Sequence, residues 1–505
     1  MRNSVSRLAI SPRKADASLF RWIYDEIRTA IIDGKLESGT RLPSSRSLAR
    51  QQNVSRGIVV AAFEQLAAEG YIECVIGSGS FVRRAPAEPA LEARPVCAAG
   101  AAASSQTALS KRGQCLAQKP YPKLRSNPSA QTFHLDYPAL DLFPLAAWSR
   151  IAARRLRRAG PELLAHGDGC GFPPLRAAIA SYIASTRGVR CSAEQIVITS
   201  GTQQSLDLMT RLLLDRGDRV WMEDPGYPGA SALFRALGAE VIGMPVDGEG
   251  LRWAGAGSRH RAGRMVYVTP GCQFPLGVTM SLPRRRALLE WARRENAWIF
   301  EDDYDGAFCF SGRPLAALQS LDTTGNVIYS NSFNKLMFPG LRLAFLVVPP
   351  RLTDAVAAAR SVLDRFPSLP LQATLCDFIT SGQFSQHVRR MRDVYAARLH
   401  TLIYSAKAEL DGLLDVRPPH GGLQVIGWLP VSVDDSEAAR LAAEHGIDSA
   451  PLSALRLDRA LPAGLVLGVT AAGDRAIRLA VGRLGQALRL LLRRNPSSQA
   501  QRSRP

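Results

Sequence analysis

The chain has 505 residues, 46% hydrophobic and 21% charged, and it is too long for one ordinary domain. It contains no apolar run of about eighteen residues, no secretory signal and no CxxC pair among its eight cysteines, so we expect a cytoplasmic protein without a membrane span or a metal site. The net charge of +19 favours a polyanionic partner such as nucleic acid, although an arginine-rich composition by itself would give the same balance.

Composition divides the chain into four segments. Residues 18–84 combine short helical patterns with a terminal strand pattern, whereas residues 85–131 are rich in Ala, Pro, Ser and Gln and are predicted to be a flexible linker. Residues 132–494 alternate apolar strand-like runs with amphipathic helical stretches, which is typical of an α/β domain. Residues 495–505 are predicted to be a disordered tail.

The first segment predicts three helices followed by a hairpin. A helix with apolar residues at four-residue spacing begins near Leu19 and is stopped by Gly34. A second helix begins at Ser44 or at the serine after it, and a third is capped by Ser55 and ends at Gly70. Two short strands around the turn GSG complete a mostly α winged helix-turn-helix, whose short turn suits a helix that enters the major groove.

The motifs LPSSRSLA, NVSR, AAFEQLAAEGYI and GSGSFV resemble those of the GntR-type winged helix, a bacterial DNA-binding domain. The resemblance covers essentially all of residues 18–84. It implies that Arg46, Ser55 and Arg56 face phosphates or base edges of operator DNA. It also implies that Gly77 and Gly79 let the wing backbone approach the minor groove.

The residue types agree with that DNA-binding role. Ser44 and Ser55 stand at helix starts, where hydroxyls and backbone N–H groups favour phosphate. Arg56, on the first turn of the third helix, can reach a guanine edge. Each arginine by itself is also consistent with a solvated charge on the protein surface.

Two strand ends in the large segment predict an anion site and an acidic site. The β-branched strand IVITS ends at Gly201 and Thr202, where a helix begins, and the N–H groups of such a helix start suit a phosphate. The strand WIFEDDYD ends in an acidic cluster. A carboxylate there can hold a pyridine nitrogen protonated while Tyr304 bonds the ring's hydroxyl oxygen, or the cluster is an acidic loop at a strand end that could bind a metal.

A third motif, VIYSNSFNKLMFPGLRLAF, places a lysine in the turn after a strand. Lys335 can form an imine with an aldehyde cofactor, and Ser332 and Arg342 would grip an anion. A lysine near an arginine is a weak signal by itself. Its position about thirty residues after the acidic strand favours the cofactor over the metal.

These motifs, in this order, resemble the α/β fold type I aminotransferases that use pyridoxal 5'-phosphate. EDPGYPG, TPGCQFPLG and SGRPLAALQ narrow the resemblance, over about residues 130 to 490, to MocR-type regulators. It implies that Lys335 forms a Schiff base with the cofactor and that Arg478, in AIRLAVGRL, grips an effector carboxylate. The implied cofactor contacts are Asp302 with the pyridine nitrogen, Tyr304 with the ring oxygen, Tyr227 stacked on the ring, and Gly201, Thr202, Ser332 and Arg342 with the phosphate.

The chain departs from the family's pattern on the effector side. Cys272 stands where a histidine is usual, and Gly306 and Ala307 replace more polar residues. The cofactor anchors are kept, so the departures concern which ligand the site accepts.

Three functions follow from the fused segments. The first is a transcription regulator, not an enzyme: a homodimer that binds operator DNA and senses pyridoxal phosphate, an amine or an amino acid through imine chemistry at Lys335. The second is an aminotransferase with a vestigial head, because a slow transamination half-reaction is chemically open to such a site. The third is a DNA-binding protein whose large domain serves only for dimerisation.

The helix SRIAARRLRR, residues 149–158, carries five arginines. It is interpreted either as a second DNA-facing surface or as a solvated face beside the linker.

Overall fold

A computed structural model describes residues 18–75, 77–83, 109–117, 132–135, 137–253, 263–308, 315–419, 421–459 and 461–494, together with Leu8, Ser11 and Phe310. The chain divides into two compact units, residues 1–108 and 109–505. The predicted tail lies outside the described residues, as does the predicted linker apart from residues 109–117.

The first unit has the predicted three helices and hairpin. The helices are α1 (Leu19–Ile32), α2 (Ser45–Gln52) and α3 (Arg56–Ala68). Strands β1 (Ile72–Val75) and β2 (Gly79–Val82) pair antiparallel. The winged helix-turn-helix prediction is thereby confirmed at the level of its elements.

The apolar spacing of the first unit explains its core. Ile23, Ile27 and Ile31 of α1 are buried together with Val59 and Phe63 of α3, so the two helices pack through the faces that the sequence predicts. The polar residues on the opposite faces are left for solvent or for a partner.

The second unit has helices between the strands of its large sheet and further helices before and after that sheet. They are α4 (Lys111–Ala117), α5 (Leu145–Arg157), α6 (Pro161–Leu164), α7 (Pro173–Arg187), α8 (Thr202–Leu213), α9 (Pro228–Leu237), α10 (Leu282–Arg294), α11 (Phe333–Leu336), α12 (Thr353–Leu363), α13 (Leu369–Thr380), α14 (Gln383–Glu409), α15 (Asp435–Glu444) and α16 (Asp474–Arg494). Among the described residues, no helix has the length and apolar content needed to cross a membrane.

An eight-stranded mixed sheet forms the centre of the second unit. Its strands are β3 (Ile196–Thr199), β4 (Arg219–Asp224), β5 (Glu240–Asp247), β6 (Gly250–Leu251), β7 (Met265–Val268), β8 (Trp298–Asp302), β9 (Val327–Ser332) and β10 (Ala344–Val347). Their order is β3-β10-β9-β8-β7-β4-β5-β6. Strands β9, β8, β7, β4 and β5 are parallel, and β10 runs antiparallel to both β3 and β9.

The strand directions place the predicted motifs together. Since β10 is antiparallel to both of its neighbours, β3 runs in the same direction as β9. The carboxyl ends of β3, β4, β7, β8 and β9 therefore meet at one edge of the sheet. In α/β folds that edge is where ligands bind.

A smaller antiparallel sheet lies later in the chain. Its strands β11 (Asp415–Val416), β12 (Gln424–Trp428), β13 (Ala450–Pro451) and β14 (Gly464–Gly468) take the order β11-β12-β14-β13. Side chains of β12 and β14 share an apolar core with α14, α15 and α16. The fold is thus the predicted large α/β domain, with the main sheet carrying the candidate site.

The described part of the predicted linker contains the short helix α4. It lies in the second unit and contacts α9, although none of its side chains is buried. The composition of residues 85–131 gave no sign of this helix, because its apolar residues are too few to form a buried face.

Candidate functional site

A cavity of about 380 Å³ opens at the carboxyl edge of the large sheet. Its walls contain every residue that the sequence analysis assigned to the cofactor, namely Gly201, Thr202, Tyr227, Asp302, Tyr304, Ser332, Lys335 and Arg342. These residues come from four separate strand ends, and the parallel arrangement of the strands brings them to one place.

One end of the cavity has the features of a phosphate cradle. Gly201 caps α8 with φ +148°, and a Cβ atom there would lie 3.0 Å from a guanidinium nitrogen of Arg342. The backbone N–H groups at the start of α8 and the positive Arg342 side chain therefore face the same space. Ser332, which caps α11, supplies a hydroxyl to the same cavity.

Asp302 lies at the end of β8 and has two carboxylate oxygens in different surroundings. Its Oδ2 accepts a hydrogen bond of 2.8 Å from the hydroxyl of Tyr267, whereas its Oδ1 is buried and has no hydrogen-bond partner among the described residues. Burial raises the pKa of Asp302 to about 6, although the Tyr267 bond and the charge of Lys335 oppose the rise. A protonated ring nitrogen would satisfy Oδ1 and keep the carboxylate charged.

Lys335 lies on α11, immediately after β9. Its Nζ is 4.5 Å from the ring centroid of Tyr304 and 5.9 Å from that of Phe274. The turn that carries it is held by the backbone N–H of Leu343, which donates to Oδ1 of Asn334 at 3.2 Å. The lysine amine therefore lines the same cavity as Asp302 and Arg342.

Tyr304 forms a wall of the cavity rather than a free hydroxyl. Its ring packs edge-on against Phe274 at 6.0 Å, and its hydroxyl accepts a hydrogen bond of 2.8 Å from Nε2 of Gln424. Burial raises the pKa of Tyr304 well above its ordinary value. The hydroxyl is consequently neutral, and it also bonds the side chain of Asp305.

Several further residues of this cavity were not predicted from the sequence. Tyr267, Thr269 and Phe274 follow or end β7, which lies between β4 and β8, and all three line the cavity. The strand VYVTP was the available signal, since a strand between two functional strands ends at the same edge. The hydrogen bond from Tyr267 to Asp302 joins residues 35 positions apart, so no local pattern predicts it.

A buried ion pair braces the chain directly after Asp302. Arg187, at the end of α7, donates to both carboxylate oxygens of Asp303 at 2.7 and 2.8 Å. The hydroxyl of Tyr329 donates to the same carboxylate at 2.7 Å. Three donors thus fix the residue between Asp302 and Tyr304, which holds both site residues in place.

Arg478 is the one predicted ligand contact that the structure does not bring to the cavity. It lies on α16, is exposed, and is not among the cavity's lining residues. The neighbouring Ile477 is buried in the apolar core that α16 shares with β12 and β14. Helical periodicity turns Arg478 to the outer face, so the assignment to an effector carboxylate is corrected within this chain.

The predicted DNA contacts of the first unit lie on its surface. Arg46 on α2 and Arg56 on the first turn of α3 are exposed. The hydroxyl of Ser44 accepts the backbone N–H of Ser47 at 3.1 Å, but Ser55 makes no such capping bond and is exposed. The two helix starts therefore differ. A serine hydroxyl caps α2, whereas the start of α3 has no side-chain cap and is open to an anion.

The wing glycines adopt conformations that other residues rarely take. Gly77 and Gly79 have φ of +79° and +109°. A Cβ atom on Gly79 would lie 3.0 Å from Nε of Arg41, whose side chain crosses the turn. Arg41 was not predicted as a contact, and it adds a cation to the wing.

The arginine-rich helix α5 presents two different faces. Arg155 donates from Nε to Asp377 of α13 at 3.0 Å and is half-buried. Four other arginines are exposed along a groove of about 820 Å³, namely Arg150, Arg154, Arg157 and Arg158. The basic surface is thus made by these four side chains.

Comparison with known proteins agrees with this two-part architecture. The profile of the family "Bacterial regulatory proteins, gntR family" matches residues 20–82, and that of "Aminotransferase class I and II" matches residues 136–475. The chain is 37% identical, over 95% of its length and 96% of the relative, to the probable rhizopine catabolism regulatory protein MocR of Rhizobium meliloti. It is 30% identical to the pyridoxine biosynthesis transcriptional regulator PdxR of Corynebacterium glutamicum, over 83% of this chain and 85% of that one.

A structural comparison identifies the same large fold. The α-aminoadipate aminotransferase LysN of Thermus thermophilus, in complex with N-(5'-phosphopyridoxyl)-L-leucine, has a TM-score of 0.67 and 30% sequence identity. The match covers 72% of this chain and 93% of LysN. The large unit therefore has an aminotransferase fold that binds a pyridoxyl cofactor in a relative.

Proposed function

This chain belongs to the MocR-type regulators of the GntR family, which join a winged helix to an aminotransferase class I and II domain, and from that premise we propose how it works. The large unit binds pyridoxal phosphate on Lys335. An amine that reacts there changes the affinity of the winged helix for operator DNA. The regulator is a homodimer, as the resemblance to fold type I aminotransferases implies.

The main support for this proposal is the cavity at the edge of the large sheet. It joins three features that a phosphorylated pyridine aldehyde requires: an amine, a carboxylate oxygen that needs a proton donor, and a cation beside a helix start. When bound, pyridoxal phosphate would supply an aldehyde that reacts reversibly with primary amines. Lys335 would provide the amine that holds the cofactor, and an effector amine would compete with it.

Different residues of the cavity would hold different groups of the cofactor. Arg342, Ser332 and the N–H groups after Gly201 would bind the phosphate, and Asp302 would keep a proton on the ring nitrogen. Tyr227 packs 6.2 Å from Phe274 in the cavity wall and would cover the face of the ring. An effector amine that releases Lys335 would leave its side chain free to move.

The link to DNA would be a shift between two populations of the regulator. A ligand can shift such an equilibrium only if it binds the two states with different affinity. The release of Lys335 would give the effector-bound state contacts that the other state lacks. Helix α4, near the start of the second unit and within the predicted linker, contacts α9, and α9 begins immediately after Tyr227. This contact supports a route from the cofactor's face to the segment that joins the units.

The test is a comparison of wild type with Lys335→Ala. Wild-type protein saturated with pyridoxal phosphate is expected to show the absorbance band of a lysine imine and, after borohydride reduction, a cofactor adduct on the peptide that contains Lys335. The variant is expected to lack both while it still folds, which circular dichroism checks. An adduct on another lysine, or none in the wild type, would contradict the proposal.

A second candidate function, aminotransferase, is favoured by the presence of Lys335 and Asp302 in one cavity. It predicts release of many keto-product molecules per protein when amino donors are supplied. The regulator predicts instead one spectral change per site together with altered operator affinity. Measuring both on the same protein separates the two functions.

A further inference from the structure

We infer that the effector accepted by this cavity is a primary amine that carries no carboxylate. The inference rests on the proposed pyridoxal phosphate site and concerns the part of the cavity that the cofactor's phosphate does not use. It is carried by the charges and the wall of that part.

Both cations of the cavity wall are already assigned to the cofactor. Among its lining residues in the described chain, the cations are Lys335 and Arg342. Arg342 lies against Gly201 in the phosphate cradle, and Lys335 lies over Tyr304, where the aldehyde must be. Both positive charges are thus balanced by the cofactor before an effector enters.

The other titratable groups near Lys335 are acidic. Asp302 lines the cavity, and behind Tyr304 lies Asp305, which is buried with an Oδ2 that has no hydrogen-bond partner among the described residues. This oxygen is near Cys272 and Gly422, since a Cβ on Gly422 would lie 2.6 Å from the sulfur and 3.0 Å from Oδ2. Asp302 is assigned to the cofactor's ring nitrogen, and burial raises the pKa of Asp305 to about 7. Neither group offers a positive charge to an entering carboxylate, whereas the ionised form of Asp305 would attract an ammonium.

Part of the cavity wall is aromatic and belongs to an apolar core. Phe274 and Tyr304 line the cavity and belong to a buried apolar cluster with Leu452 and Val466, which lies on β14. Tyr227 packs against the same cluster. A carboxylate placed against these rings would lose its water without gaining a partner, which is costly for a charge and not for a neutral group.

The arginine that the family resemblance assigns to a carboxylate faces elsewhere. Arg478 is exposed on α16, on a different face of that helix from Ile477 and its apolar core. The location of Arg478 outside the cavity, the acidic groups and the aromatic wall all point to the same ligand class. The effector side suits a molecule whose only charge is its ammonium group.

The experiment compares pairs of ligands that differ only by the carboxylate. Full-length protein saturated with pyridoxal phosphate is titrated with phenethylamine and phenylalanine, with isoamylamine and leucine, and with ethylamine and alanine. The absorbance of the bound cofactor and the affinity for operator DNA are read in parallel. Each amine is expected to bind at least about tenfold more tightly than its amino acid, because only the acid buries an unpaired charge.

Arg478→Gln is the matched control, since Arg478 lies outside the cavity. It is expected to leave the ratio of amine to amino-acid affinity unchanged. Equal or tighter binding of the amino acids, a lack of response to every amine, or a selective loss of amino-acid binding in Arg478→Gln would each overturn the inference. A protein without a Lys335-dependent absorbance band would instead overturn the proposed function, so the two failures are distinguishable.

Discussion

At Gly201, the backbone and the neighbouring side chain both require a residue without Cβ. Its φ of +148° lies in a region that glycine occupies almost alone, and the space beyond its Cα is filled by the Arg342 guanidinium. The phosphate cradle therefore depends on a glycine at this position as much as on the arginine.

We predict that Gly201→Ala weakens pyridoxal phosphate binding by about tenfold or more. The added methyl group strains the backbone, by roughly 1–3 kcal/mol, and displaces the Arg342 guanidinium from the cradle. The measurement is a fluorescence titration of the apoprotein with the cofactor. Gly217→Ala is the control: Gly217 also has a positive φ, +92°, but a Cβ there meets nothing within 4 Å. An equal loss of affinity in both variants would contradict the prediction.

Asp302 makes the stability of the cofactor-free protein depend on pH. Its pKa is raised from 3.8 to about 6 in the fold, chiefly by burial. Between those values the folded chain keeps a proton that the unfolded chain releases. The contribution of Asp302 to stability is therefore complete below about pH 4 and is lost as the pH rises through about 6.

Asp302→Asn is predicted to remove this dependence. The amide can still accept from Tyr267, and it never becomes charged. In cofactor-free protein, the free energy of unfolding of the variant relative to wild type is expected to rise by roughly 1–3 kcal/mol between about pH 4.5 and about pH 7.5. Urea denaturation at the two pH values measures it, and a difference that does not change with pH would refute it.

At the scale of elements, the starts of α2 and α3 use the same residue type for different purposes. Ser44 satisfies the N–H of Ser47, which an isolated helix start would leave without a partner. Ser55 makes no such bond and stands exposed beside Arg56. One serine is a cap, and the other is available to DNA phosphate.

We predict that the two serines separate stability from DNA binding. Ser44→Ala is expected to destabilise α2 by about 1 kcal/mol, seen as faster hydrogen exchange of its amides in the full chain. Ser55→Ala is expected to leave exchange nearly unchanged but to weaken operator binding, measured by fluorescence anisotropy. If Ser55→Ala altered exchange and not binding, its assignment as a phosphate contact would be wrong.

At the scale of the whole molecule, we predict that the basic face of α5 binds DNA from the large unit. Its four exposed arginines are Arg150, Arg154, Arg157 and Arg158. Their replacement by Gln is expected to make the dependence of operator affinity on salt shallower, by about 0.9 in log–log slope for each DNA phosphate that an arginine no longer neutralises. Long and short operator fragments compared at several salt concentrations provide the measurement.

The control for α5 is an equal loss of charge elsewhere on the large unit. The matched set is Arg235, Arg286, Arg475 and Arg478, which are all exposed. If both sets change the slope equally, the effect is one of net charge, and the α5 face is merely solvated. A slope that neither set changes would also remove α5 from the DNA-binding surface.

Much of this architecture could be predicted from the sequence because it is local. Helix starts at Ser44 and Ser55 and the strands before Gly201, Asp302 and Lys335 follow from caps, apolar spacing and β-branched runs. Parallel strands that end in polar residues bring those residues to one edge whatever the detailed packing. The cofactor cavity was predictable for that reason.

Other features depend on which face of an element meets the core. A run of arginines does not reveal that Arg155 turns inward to Asp377 while its neighbours face solvent. The AIRL motif similarly does not reveal that Ile477 is buried and that Arg478 is consequently exposed. Such outcomes depend on the elements packed against each helix, which lie far away in the sequence.

The sequence by itself determined the two-part organisation, the family and the residues gathered at the edge of the large sheet, because each follows from short segments whose order is set by the chain. Only the tertiary structure decided what completes the site: the Tyr267 bond to Asp302, the Arg187 brace on Asp303, and the apolar wall that includes Val466. These contacts join strands and helices through space. Burial, which sets both the charge of a carboxylate and the ligand that a wall accepts, exists only once the chain has packed.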